Sequence, residues 1–222
     1  MNEELVFLLH RLIPALNEGL IMSVKLIVPS AVLGLFFGVV VGTCRAFGRG
    51  IIKPLANGYA ALFRGTPLVI QLFILYFGLP GIGIYLEPYT AAVLGFTFCS
   101  AAYHSEYIRG GLLSIKQGQL LAAQALGFST LKTLTTIIIP QAFRRALPGC
   151  GNEIVYLIKY SSLAYVITCF ELTGKAKVVA SESFRFSEVF LVVGLYYLVL
   201  VSVASWGLSR LENKLKIPGF GH

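Results

Sequence analysis

The chain has 222 residues, of which 56% are hydrophobic and 13% charged, with a formal charge of +8 and a mean hydropathy of +0.79. A soluble domain of this size would be roughly 45–50% apolar and about 25% charged, so the balance excludes a soluble globular protein and points to an integral membrane protein covered by lipid. The basic excess marks cytoplasmic loops rather than a nucleic-acid surface.

The N-terminus opens on acids and lacks a basic segment or a small-residue cleavage site, so no removed signal peptide is expected. Leu5, Leu8, Leu9, Leu12 and Leu16 recur at helical spacing, which predicts an amphipathic helix on the membrane surface over residues 1–18. A spanning helix needs about 20 mostly apolar residues. The first candidate covers 19–46 and contains Pro29; Arg45, Arg49 and Lys53 follow it. The second covers 55–79 and contains Arg64-Gly-Thr-Pro67, where Thr66 reads as a helix cap before Pro67; a kink is expected there, because a helix starting at Thr66 would be too short to span. The third covers 88–108, the fourth 148–168 and the fifth 188–208, with a long segment at 109–147 and a tail at 211–222.

Lysine and arginine positions orient these spans. Of the 18, Arg45, Arg49, Lys53, Arg109, Lys116, Lys132, Arg144, Arg145, Arg210, Lys214 and Lys216 fall on one side, and Arg11, Lys175, Lys177 and Arg185 on the other; Lys25, Arg64 and Lys159 lie within spans. The asymmetry predicts an all-α membrane protein of about five spans, N-terminus out and C-terminus in. No internal repeat is visible, which argues against a self-sufficient secondary transporter. Cys44, Cys99, Cys150 and Cys169 form no C-x-x-C and read as small buried hydrophobes; no metal site is expected.

The segment 109–147 holds Leu121-Ala-Ala-Gln-Ala-Leu-Gly127, followed after nine residues by Ile137-Ile-Ile-Pro140. Alanine favours a short helix, here over Leu121–Leu126 with a preceding turn at Gly118–Leu120, and Gly127 can end it in a left-handed turn. Gly127, Pro140 and Pro148 are expected to break the segment into pieces too short to span. This spacing resembles the cytoplasmic loop of ABC-importer permeases: E-A-A, three residues, Gly, nine residues, I-x-L-P. Phe63–Phe73, Ala101–Gly111, Pro140–Pro148 and Asn152–Leu163 are similar to further motifs of the polar amino acid branch, and the likeness runs over about residues 19–210.

The resemblance implies a type I importer permease fold in a bacterial inner membrane. It implies a two-permease pore (two copies or a related chain), an ATPase dimer that uses ATP and Mg, a substrate-binding protein and an amino acid substrate. It also implies a coupling role for Leu121, Ala122, Ala123, Gly127 and Pro140. The chain has no G-x-x-x-x-G-K-[ST], so neither ATP hydrolysis nor a cofactor is expected in it. The family's glutamate falls on Leu121, which favours apolar docking.

For the pathway, Asn152, Tyr156, Lys159 and Ser162 fall on one helical face of the fourth span, and a charge within a span faces protein or water. Lys159 could meet a substrate carboxylate or hold Glu171. Thr97, Ser100 and His104 form a weaker stripe on the third span, where His104 also reads as a packed group. Glu106 and Arg109 read as a simple helix pair. The other readings are a non-transporting accessory subunit or scaffold and, third, a secondary carrier. A neighbouring gene for a Walker-motif ATPase beside one for a secreted binding protein separates these readings.

Overall fold

The computed structural model describes residues 3–215, so Lys216 and the rest of the tail beyond Leu215 lie outside the described residues. Every regular element of the described chain is a helix. We number the helices α1 (Glu3–Phe47), α2 (Ile52–Gly65), α3 (Leu68–Ile82), α4 (Pro88–Leu113), α5 (Gln117–Ala125), α6 (Thr130–Ile167), α7 (Leu172–Ser183) and α8 (Phe186–Leu215).

The surface helix expected over residues 1–18 does not form separately. Its described part continues unbroken into the first span, giving a 45-residue helix about 68 Å long. Leu12 and Leu16 are buried because α7 and α8 cover them with Leu172, Val179, Val189 and Val193, whereas Leu5 and Leu9 are exposed.

Three π turns interrupt the helices, at Leu8–Leu12, Ile74–Gly78 and Leu134–Ile138. Each is followed by one apolar residue and then a proline: Pro14, Pro80 and Pro140. A proline has no N–H for the carbonyl four residues back, and its ring collides with that carbonyl. The carbonyls concerned, on His10, Tyr76 and Thr136, sit in the middle of the three π turns, where the widened helix relieves the clash. Pro140 and Pro148 therefore do not break the chain as expected, and α6 passes through both.

At 55–79 the expected kink is a sharper break: α2 and α3 meet at 103°. Thr66 and Pro67 are both extended, with ψ of 142° and 135°. Thr66 ends α2 instead of capping α3, its hydroxyl donating to the Leu62 carbonyl at 2.8 Å. Gln71 stabilises the corner. Its Nε2 donates to the Phe63 carbonyl at 2.9 Å and to the Thr66 carbonyl and hydroxyl, each at 3.0 Å.

Of the five expected spans, α1 and α8 are long and apolar enough alone; the bent pairs α2–α3 and α6–α7, the latter meeting at 52°, qualify as broken spans. The third expected span, α4, is central: it packs on α1, α2 and α6. Protein rather than lipid covers it, so it tolerates buried Thr97, Ser100, His104 and Ser105. On α1, Gly34, Gly38 and Gly42 let the α4 backbone approach; a methyl at Gly34 would come within 2.8 Å of Ser100 Oγ, and one at Gly42 within 2.9 Å of the Ser105 carbonyl. The outer faces of α1 (Ile21, Val28, Val32, Phe36) and α8 (Leu191, Leu195, Leu198, Val203) are exposed and apolar, as lipid contact requires.

α7 follows the bend that ends α6. Its N-cap, Glu171, is fully buried and accepts from the N–H groups of Thr173 and Gly174, at 2.9 and 3.0 Å, and from the Tyr197 hydroxyl at 2.9 Å. Ser23 accepts from the Leu172 N–H at 3.2 Å. Cys99, Cys150 and Cys169 are buried free thiols, and Cys44 is half-buried.

Candidate translocation path and coupling segment

The segment expected to couple is built from α5. It runs Gln117–Ala125, so the turn expected at Gly118–Leu120 is part of the helix. At its end Gly127 has φ +79°, the Gly127 N–H donates to Gln124 O at 2.9 Å, and the Phe128 N–H donates to Ala123 O at 3.0 Å. This pair of bonds is a Schellman cap, whose left-handed residue is best supplied by glycine. Ala123 is buried, while Leu121, Ala122, Ala125 and Leu126 face outward. Leu121 is 64% exposed, Leu126 77% and nearby Leu131 72%, a concentration of bare leucine on a short polar-flanked segment. Gln141 Nε2 donates to Gln119 Oε1 at 2.8 Å and Arg145 Nη1 to the Ser114 carbonyl at 2.7 Å, so two bonds hold the segment against the start of α6. Pro140 is exposed on α6, just past the π turn.

The face of α6 that carries Asn152, Tyr156 and Lys159 is open. The Lys159 ammonium lies 4.6 Å from the centre of the Tyr156 ring, and Tyr156 stacks on Tyr160 at 5.9 Å. Ser162 is half-buried, in the 3-10 turn that ends α6, and its hydroxyl donates to the Lys159 carbonyl at 2.7 Å. The alternative pairing of Lys159 with Glu171 does not occur, since Glu171 is taken up by the α7 cap and Tyr197.

Thr97, Ser100 and His104 are not brought to that open face. All three are buried, and Ser100 and His104 meet Gly34 and Gly38 across the α1–α4 seam. Thr97 Oγ1, Ser100 Oγ and both His104 nitrogens are without a hydrogen-bond partner among the described residues. The packed reading of His104 therefore describes its position.

Glu106 does more than pair with Arg109. It also receives Arg45 Nη2 at 2.7 Å and Arg64 Nη1 at 2.5 Å, so one carboxylate joins α1, α2 and α4. Arg45 is buried; its Nη1 donates to Ser105 Oγ at 2.9 Å and its Nε to Asn57 Oδ1 at 3.1 Å. Spacing within a helix reveals the Arg109 contact but not partners 61 and 42 residues away. The usable signal was scarcity, since the whole chain has 10 acids for 18 basic residues.

Residues 10–217 match the family of binding-protein-dependent transport system inner membrane components. The chain belongs to that family. The permease is 38% identical over 205 residues to the arginine transport system permease protein ArtQ of Bacillus subtilis (strain 168), covering 92% of this chain and 94% of that one. It is also 38% identical over 207 residues to the glutamine transport system permease protein GlnP of Escherichia coli (strain K12), covering 92% and 94%. Among solved structures it resembles an amino acid ABC transporter with histidines, with a TM-score of 0.85 at 33% identity over 90% of this chain and 94% of that one. The inward-facing MetNI methionine ABC transporter shares the fold, with a TM-score of 0.70 at 20% identity over 98% and 100%.

The resemblance read from the motifs therefore holds. The protein is an inner-membrane permease subunit that forms the translocation pathway of an ABC importer, working with a binding protein and a separate ATPase. The family and its relatives support this role over the accessory-subunit reading.

Proposed function

We propose that the permease imports polar amino acids, paired with a second permease, a copy of itself or a related chain, and driven by an ATPase dimer that uses ATP and Mg. The single observation carrying this reading is the open face of α6, where Asn152, Tyr156 and Lys159 sit together in an otherwise apolar protein. A polar face of this kind needs water or protein beside it, and a second permease across a shared aqueous path provides both. The relatives named for arginine and glutamine transport support the substrate class. In this reading α5 docks on the ATPase through its exposed leucines, with Leu121 giving apolar contact where the family has a charge.

Uptake of radiolabelled amino acids tests the reading, using the permease reconstituted in liposomes with its ATPase and binding protein. The wild-type complex accumulates a polar amino acid only with ATP inside the ATPase compartment. Lys159→Met lowers uptake roughly tenfold for every accepted substrate, the loss of one charge-assisted contact. No uptake of any amino acid by an assembled wild-type complex would overturn the proposal.

The orientation with the N-terminus outside follows from the basic residues on the α5 side. A cysteine introduced at Ser181 reacts with an impermeant thiol reagent in intact cells, and one introduced at Lys132 reacts only after the membrane is opened. The reverse pattern would invert the topology.

A further inference from the structure

α8 packs on α6 through Leu208, which fills the room left by Gly151; a methyl at Gly151 would come within 2.0 Å of Leu208 Cδ1. The other side of α8 carries Leu195, Val199, Val203, Trp206, Arg210 and Lys214, all exposed. At about 100° per residue, all six lie within roughly 60° of the direction pointing away from Leu208. The stripe is apolar as far as Val203 and then turns aromatic and basic. From Phe186, where α8 starts, to Trp206 is about 30 Å of helix, the thickness of the hydrocarbon layer. Trp206, Arg210 and Lys214 therefore meet the bilayer at headgroup level.

The two cations at this end have no acid. The ion pairs among the described residues join Arg11, Arg45, Arg64, Arg109, Lys175 and Arg185 to carboxylates and leave out Arg210 and Lys214. Glu212, between them in sequence, stands about 40° from Leu208 on the side facing α6 and is half-buried. The Arg210 guanidinium lies over the Trp206 ring, 4.6 Å from its centre, so the ring face that could hold a choline already holds a cation. Basic side chains at the membrane surface attract anionic lipid. An acidic soluble surface would meet only Arg210 and Lys214, whereas a molecule with an acyl chain and a negative head matches the whole stripe.

We propose that this face of α8 binds an anionic phospholipid, with an acyl chain along Leu195, Val199 and Val203 and the phosphate between Arg210 and Lys214, one turn apart. The site is independent of the amino acid transport reading. The orientation proposed above makes the leaflet concerned the cytoplasmic one.

Trp206 is the only tryptophan of the chain, so its fluorescence reports the site. The permease–ATPase complex is reconstituted in vesicles of zwitterionic phosphatidylcholine with a minor share of phosphatidylglycerol, one of the two lipids carrying brominated acyl chains that quench on contact. The same complex with Trp206→Phe supplies the background from the ATPase. Brominated phosphatidylglycerol is expected to quench roughly ten- to thirtyfold more effectively per mole than brominated phosphatidylcholine, because each of the two cations adds about fivefold. Arg210→Gln combined with Lys214→Gln is expected to make the two lipids equal. Equal quenching by the two lipids in the wild type overturns the site, as does a preference that survives the double substitution. A Trp206 that neither lipid quenches also overturns it, since protein would then cover the stripe. Should the double variant fail to assemble, Arg210→Gln alone must lower the preference at least about threefold, and an unchanged preference there overturns the site as well.

Discussion

Replacing Gly127 with valine is expected to uncouple transport from ATP hydrolysis while leaving the permease inserted and assembled. The residue holds φ +79°, a region costing a non-glycine residue roughly 1–2 kcal/mol and worst for β-branched side chains. No atom lies within 4 Å of a methyl placed there, so the strain comes from the backbone rather than from a clash. The chain relieves it by giving up the two cap bonds to Gln124 and Ala123, and the end of α5 unwinds. Because Leu121 and Leu126 flank that end, the surface proposed to meet the ATPase loses its shape. Uptake is expected to fall at least about tenfold, the effect of roughly 1.4 kcal/mol, and hydrolysis to lose its stimulation by loaded binding protein. Gly127→Asn is the control, since asparagine accepts the left-handed cap and should keep most of the activity. Full, stimulated hydrolysis and uptake in Gly127→Val would show that this turn does not transmit the coupling.

Glu106→Gln should destabilise the protein more than any other single charge removal. Three guanidinium groups converge on this carboxylate from three helices, and neutralising it leaves them to repel one another. Removing one partner of a buried pair costs about 3–5 kcal/mol. The low end applies here, because the Glu106 side chain is 28% exposed although Arg45 is only 9% exposed. A loss of roughly 3 kcal/mol lowers the melting temperature by about 6–12 °C, readable by thermal unfolding of the detergent-purified complex. Arg64→Gln leaves Arg45 and Arg109 in place and, with Arg64 36% exposed, should cost under about 1 kcal/mol. Equal melting of wild type and Glu106→Gln would mean that the cluster is solvated and adds nothing to stability.

How far the chain could be read in advance depended on the range of each interaction. The left-handed end of α5, the outward face of Asn152, Tyr156 and Lys159, and the burial of three of the cysteines follow from local residue chemistry. Apolar length marked α1 and α8, but it could not show that α4 is wrapped by protein, because a wrapped helix is free to be polar. The Glu106 cluster, the Gln71 corner and the cap of α7 depend on side chains meeting across turns or between helices. Residue spacing carries no record of such meetings. Pro140 and Pro148 depart from expectation for a different reason: a proline reads locally as a break, whereas a long helix can absorb one, as at Pro140, by widening one turn upstream.

That absorption also fixes a direction. The π turn at Leu134–Ile138 holds one residue more than an α-helical register would, and one residue corresponds to about 100° of rotation. Everything N-terminal to it, α5 included, is therefore swung by that angle about the α6 axis. The azimuth at which Leu121 and Leu126 are presented is thus set by Pro140, which touches neither of them. A chain lacking one residue between 134 and 138 and carrying alanine at position 140 could form a regular helix over the same stretch, yet it would aim its leucines in a different direction about the α6 axis.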